Sequence, residues 1–190
     1  MIRVIAPARP HAPARPHAPP VDLLWPTRAQ VLSDDRVRAD VHRVVSSGSA
    51  VRSTEVDRAG SDDWLHDILD RGARLALARL AGRVEALGRW ERYETRADQC
   101  NGHIRQVMTH PDARRRGLAR SVVHALVDDA RAAGVQTLTL HVRGANQAAV
   151  ALYTSLGFGA VGGDRYDRVL FALRLGAGPD AAGDRTESKG

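Results

Sequence analysis

The sequence predicts an α/β (α+β) fold, a mixed sheet with helices on its faces. Four stretches carry apolar residues at helical spacing, and others alternate apolar with polar residues as strands do. In chain order the patterns read helices, a β-hairpin, then β, α, β, α, β. A tight turn pairs its strands antiparallel and a helical crossover pairs them parallel, so a chain with both kinds of connection builds a mixed sheet.

Composition bounds the reading. At 190 residues and 43% hydrophobic, the chain is long enough to bury a core and has a globular make-up. Its net charge of +6 points towards nucleic acid, yet Lys189 is the single lysine among 28 basic residues. A GC-rich codon bias explains that usage without a selected basic surface. Aromatics are only 4%, with no helix-turn-helix, RNA-recognition or zinc-finger signature, so nucleic acid is not an expected partner. Cys100 is alone and no zinc-ligand spacing occurs, so neither an intrachain disulfide nor a metal is expected. No apolar run approaches the roughly 20 residues that span a bilayer, and the N-terminus lacks the apolar core of a signal peptide. The expectation is a soluble, cytoplasmic protein without a membrane partner.

Residues 1–20 hold the hexapeptide Ala-Arg-Pro-His-Ala-Pro twice and six of the nine prolines, which predicts a flexible Pro/Ala/His-rich arm. A single domain is expected over residues 21–175. Val37, Val41, Val44 and Val45 predict a first helix between Thr27 and Val45, stopped at "SSGS". Ser61 is a candidate N-cap for a second helix that buries Trp64, Leu65, Ile68 and Leu69 and ends at Gly72. The run "RLALARLAGRVEALGRWERY" predicts an antiparallel hairpin turning at Ala81-Gly82. A loop, "ETRADQCNG", is expected next, then a strand from about His103 to Thr109. A helix from Gly117 to Gly134 follows, with Leu118, Val122, Ala125 and Leu126 on its inner face. "QTLTLHV" alternates as a strand, Asn146 to Leu156 reads as a helix ended by Gly157, and "RYDRVLFALRL" supplies the last strand. The Gly, Asp, Ser and Thr content of residues 176–190 predicts a disordered tail.

The segment "HPDARRRGLA" places three arginines and a glycine between a strand and a helix. A helix N-terminus offers unpaired N–H groups and partial positive charge, which suits phosphate. Gly117 permits close backbone approach, and arginine adds charge-assisted hydrogen bonds. On these residues alone a solvated turn is an equal reading.

The string Arg114-x-x-Gly117-x-Ala119 resembles the acyl-CoA signature of the GNAT superfamily of N-acetyltransferases, R/Q-x-x-G-x-G/A. "NQAAVALYTSLGF" is similar to that family's later segment, an Asn, a helix with Leu-Tyr and a closing Gly-Phe. The resemblance spans roughly residues 74 to 172, strongest from 103 to 163. It implies a mostly antiparallel sheet flanked by helices, with parallel pairing around the acyl-CoA site, and acetyl-CoA as co-substrate. It further implies that Arg114, Gly117, Leu118 and Ala119 hold the CoA pyrophosphate, with Arg115 and Arg116 either touching the cofactor's phosphates or merely solvated, and that the main chain of Val107 and Thr109 pairs with the pantetheine arm. Asn146 and Tyr153 lie two helical turns apart and can face one site. The resemblance makes Tyr153 the acid that protonates the leaving thiolate, against a core aromatic and a helix cap as the plainer roles of these two residues. Within the family the chain looks most like the tabtoxin-resistance type, which implies a small-molecule amine as acceptor. Many relatives are dimers, so the resemblance allows a homodimer.

Amide formation needs a neutral amine, a polarised thioester and a protonated leaving sulfur. An alkyl ammonium titrates near about 10, so a base must take its proton. Relatives often carry a Glu at the start of the strand before the Arg/Gly loop, where this chain has Gly102-His103-Ile104. His103 is therefore a candidate base, with an ordinary pKa near about 6.5. Glu91 and Glu94 are rivals, and a plain strand-end histidine is the alternative. The strand amide near Val107 is a candidate stabiliser of the developing oxyanion.

Overall fold

The structure, a computed structural model, describes residues 21–48, 63–96, 99–164 and 166–176. The predicted arm at 1–20, the Ser61 cap and the tail beyond 176 lie outside the described residues.

Among the described residues the first strand begins at Asp22. This strand, β1 (Asp22–Leu24), pairs antiparallel with β2 (Arg74–Leu80), Asp22 opposite Arg79. The single helix expected between Thr27 and Val45 is two, α1 (Arg28–Ser33) and α2 (Asp35–Gly48). Thr27 and Gln30 form a capping box on α1. Asp34 breaks the run: its backbone is extended, and its Oδ1 accepts from the N–H groups of Arg36 at 3.0 Å and Val37 at 3.1 Å. An aspartate that caps the next helix competes with continuation of the first. A third helix, α3, is described over 63–70 and ends at Gly72 as expected.

β2 (Arg74–Leu80) and β3 (Arg83–Arg96) form the predicted hairpin. Both turn residues have positive φ, 51° at Ala81 and 79° at Gly82, which matches the twist of the flanking strands. β4 (Gln99–Thr109) follows, so most of the expected loop "ETRADQCNG" is strand, paired as Glu91↔His103, Tyr93↔Asn101 and Glu94↔Cys100. Its polar side chains hid it from an apolar alternation. After a 3-10 turn at Pro111–Ala113 come α4 (Leu118–Ala132), β5 (Thr137–Arg143) and α5 (Gln147–Ser155), all as expected. β6 (Gly159–Gly163) was not expected; it is glycine-rich and exposed along its whole length. β7 (Arg168–Arg174) closes the sheet.

The seven strands among the described residues run in the order β1-β2-β3-β4-β5-β7-β6. β4 and β5, joined through α4, are parallel; every other pairing is antiparallel. The second crossover, through α5, leads to the edge strand β6, and the hairpin back brings β7 beside β5 antiparallel. One face of the sheet packs Trp90, Ile104, Leu138 and Leu140 against Val122 and Leu126 of α4. The other packs Leu75, Leu77 and Leu87 against Val41, Val44, Trp64, Leu65 and Ile68. β2 serves both cores, which is why "RLALARL" is apolar at nearly every position. A helix as short as α3 is not stable alone; burying its Trp64, Leu65 and Ile68 contributes roughly 1.5–3 kcal/mol each.

Candidate active site

Two strands that begin side by side part in the middle of the sheet. β4 and β5 pair from Asn101↔Thr137 to Ile104↔Leu140 and no further. Beyond that point β4 stays with β3 to Thr109, and β5 stays with β7 to Arg143. A bulge in β4 drives the separation: Leu87 pairs with Met108 but Arg89 with Arg105, leaving an extra residue, and Gln106 has φ +54°. That conformation costs about 1–2 kcal/mol for a non-glycine residue. It is held by the buried Arg89, whose Nε donates to Gln106 Oε1 at 2.6 Å.

The edge of β4 facing the gap offers main-chain groups. His110 N–H donates to Glu85 O on β3 at 2.8 Å, so strand alternation turns the N–H groups of Thr109 and Val107 the opposite way, into the gap.

At the open end of the gap stands the start of α4. Gly117 is its N-cap, left-handed at φ +80° and ψ −3°, and no side chain caps the helix. The first helical bond runs from Ser121 N–H to Gly117 O at 3.0 Å, which leaves the N–H groups of Leu118, Ala119 and Arg120 without an acceptor among the described residues. Arg115 also has positive φ, 64°, and Arg114, Arg115 and Arg116 are all exposed. Successive N–H groups in such a turn converge on an anion, and the helix dipole adds to the attraction. The residues fit a pyrophosphate. Leu118 is itself buried, so its side chain anchors the helix while its N–H faces out.

Tyr153 lies on α5, buried beside Phe158 with ring centroids 5.9 Å apart. Arg120 Nη2 donates to Ser155 Oγ at 2.8 Å, tying the first turn of α4 to the end of α5. Burial pushes the Tyr153 phenol up to about 12, so it keeps its proton at neutral pH. Asn146 is the N-cap of α5, its Oδ1 accepting from Ala149 N–H at 3.2 Å. The plainer role considered for it is thus real: the cap fixes where α5 begins and where Tyr153 points.

His103 lies on the opposite face of the sheet from α4, before the strands part. Its Nδ1 is 2.8 Å from Thr139 Oγ1. Burial first, then the charges of Arg105 and His141, lower it to about 4, so it is neutral at pH 7. Glu91, the rival base, is held by two guanidinium groups, Arg89 Nη1 at 2.7 Å and Arg105 Nε at 2.5 Å. Burial would raise its carboxyl, but the charges of Arg89 and Arg105 outweigh that and keep it below the ordinary carboxylate range. A carboxylate so engaged is a poor proton acceptor. The side chain of Glu94 lies outside the described residues.

Sequence reasoning missed Arg89, Thr139 and His141. All three sit at polar positions of strands read for their apolar faces. The available signal was that "QTLTLHV" places Thr139 and His141 on the face opposite Leu138, Leu140 and Val142.

Comparison with known proteins fits this geometry. Residues 48–158 match the profile of the Acetyltransferase (GNAT) family. Over 52 residues the chain is 50% identical to the [ribosomal protein bS18]-alanine N-acetyltransferase of Salmonella typhimurium, covering 27% of this chain and 35% of that protein. The Escherichia coli protein of the same name is 48% identical over the same length, with the same coverage. The matched segment is thus about a third of the length of these relatives. The fold extends further. The crystal structure of the Escherichia coli ribosomal-protein-S18-alanine N-acetyltransferase superposes with a TM-score of 0.64 at 19% identity, over 85% of this chain and 97% of that one. The structure of yncA from Salmonella typhimurium, solved with its cofactor acetyl-CoA, gives 0.61 at 18% identity, over 85% and 99%. The parted strands, the uncapped helix and the profile match over more than half of its length place the chain in the GNAT acetyltransferase family.

Proposed function

We propose that this chain transfers an acetyl group from acetyl-CoA directly to a primary amine, with a small molecule as acceptor. The observation that carries the reading is the set of free donors at the start of α4, standing at the open end of the gap between β4 and β5. Acetyl-CoA supplies a thioester carbonyl open to attack by an amine. The N–H groups of Leu118 and Ala119, the close approach at Gly117, and Arg114, Arg115 and Arg116 would hold its pyrophosphate. Val107 and Thr109 would pair with its pantetheine arm through their main chains, and the Val107 N–H would receive negative charge developing on the carbonyl oxygen. Tyr153, oriented by the α5 that Asn146 caps, would hydrogen-bond the departing sulfur. Because a phenol near about 12 is a weaker acid than a thiol near about 8.5, its main contribution is that hydrogen bond rather than early transfer. His103 accepts the amine's proton.

The local identity to enzymes named for a ribosomal-protein alanine favours a second acceptor class, the N-terminal amine of a protein. A thiol-release assay with acetyl-CoA tests both, using small amines beside a peptide that begins with alanine. Release with small amines alone supports the first acceptor, and release with the peptide alone supports the second. Tight CoA binding without release from any amine would leave an acyl-CoA sensor in place of an enzyme.

A further inference from the structure

We infer that His103 and His141 form one proton-accepting unit, locked by Thr139, with His141 as its outlet to solvent. The inference deepens the acetyltransferase reading and rests on it.

The lock follows from counting protons on one oxygen. The Thr139 hydroxyl has a single hydrogen, and Gly102 O, 3.2 Å away, is a carbonyl that can only accept. Thr139 Oγ1 is placed to donate that hydrogen to it. In that arrangement His103 Nδ1, at 2.8 Å, donates to Thr139 Oγ1, and Tyr93 Oη at 3.3 Å is placed to donate to its second lone pair. A neutral imidazole with its hydrogen on Nδ1 carries its lone pair on Nε2. Thr139 is 7% exposed, so little water competes for these bonds.

The outlet follows from the strand. His141 is the next residue on the same face of β5, and the first beyond the last β4–β5 pair. It is exposed, and its ring centroid lies 5.2 Å from that of His103. The charged and titratable groups around the pair come from several elements: Arg89, Glu91 and Tyr93 on β3, Arg105 on β4, Arg168 on β7 and Asp164 before it. Burial and the surrounding guanidinium charges lower both imidazoles, so His103 is neutral at pH 7 and keeps its Nε2 lone pair; the same lowering makes it a weak base, which takes the proton only as bond formation to the thioester carbonyl acidifies the amine N–H. Like charges this close disfavour double protonation, and the more exposed ring loses less hydration, so a proton runs outward.

In the step, the N–H bond of the attacking amine breaks, its electron pair stays on nitrogen, and a bond forms between the proton and His103 Nε2. The proton then leaves Nε2 for a ring nitrogen of His141 and passes to water, restoring a neutral pair.

Two measurements on the full chain test this. The first is long-range nitrogen–proton NMR of the histidine side chains in the unliganded protein at neutral pH. The expected signal for His103 is the Nδ1–H form, with Thr139→Val shifting it towards Nε2–H; an Nε2–H form in the unmodified protein overturns the lock. The second is the pH profile of kcat/KM for the amine in His141→Gln. Turnover should fall at least about tenfold with KM for acetyl-CoA within about twofold, and the acidic limb should move to higher pH as His103 loses a neighbour that competes for the proton. Unchanged turnover with an unmoved limb overturns the outlet. If the unmodified protein releases no thiol from any amine while His103 shows the Nδ1–H form, the proposed function fails and the locked tautomer stands.

Discussion

Replacing Gly117 separates a strained turn from a ligand cradle. A Cβ built there meets nothing within 4 Å, so Gly117→Ala does not overpack the free protein. The cost is conformational: at φ +80° an alanine is disfavoured by about 1–2 kcal/mol. For a chain of this size that lowers the melting temperature by roughly 2–8 °C. In the proposed function the same open space is where the CoA pyrophosphate would reach the N–H groups of Leu118 and Ala119. A methyl group there, or a turn relaxing out of the left-handed region, removes at least one charge-assisted hydrogen bond, worth about 1.5–3 kcal/mol, and so weakens CoA binding roughly 10- to 150-fold. Calorimetric titration with CoA at fixed ionic strength, paired with a thermal melt, reads both numbers. Gly117→Asn sharpens the test, because asparagine tolerates positive φ: its melt should recover while its CoA affinity stays low. A lowered melt with unchanged CoA affinity in Gly117→Ala would refute the cradle and leave Gly117 only a turn residue.

Tyr153→Phe should lower kcat by about 10²-fold or more while CoA affinity in the same titration stays within twofold; equal turnover removes the tyrosine from the chemistry. Gly102 faces the core, where an added Cβ would come within 2.8 Å of Leu138 Cδ1 and 3.2 Å of Trp90 Cε3. Gly102→Ala should therefore cost about 1–3 kcal/mol, seen as a lower urea midpoint, and an unchanged midpoint would mean that Leu138 and Trp90 have room to move. The lowered pKa of His103 also makes a stability prediction. The folded protein keeps this imidazole neutral down to about 4, whereas the unfolded chain binds a proton below about 6.5. Since the unfolded state then holds more protons, stability falls as pH drops from 6.5 towards 4. The fall should be shallower in His103→Gln, measured by urea unfolding across that window; identical slopes would place the titration elsewhere.

Much of the chain was legible because its elements announce themselves locally. The apolar spacing of α4, the alternation of β5, the hairpin at Ala81-Gly82 and the glycines after α3, α4 and α5 all depend on near neighbours in sequence. So does the Arg114-Gly117-Ala119 loop, since a strand, a turn and a helix start lie within a few residues. What failed to show was polar or glycine-rich strand: the β3–β4 extension and β6, whose sequences "ERYETR", "QCNG" and "GAVGG" carry no alternation of large apolar residues. The break at Asp34 was hidden for another reason, because valine spacing continues across an aspartate that caps the following helix.

By itself, the sequence determined the α/β class, the order of its main elements and the strand-turn-helix junction at residues 114–119, since each is a short-range property of side-chain spacing and backbone freedom. Only the tertiary structure decided where β4 leaves β5, that Arg89 holds the bulge at Gln106, that Arg89 and Arg105 occupy Glu91, and that Thr139 and His141 stand beside His103. Those contacts join residues from 2 to 38 positions apart, mostly across strands, and it is the register of the sheet, not the local spacing of any one segment, that brings them together.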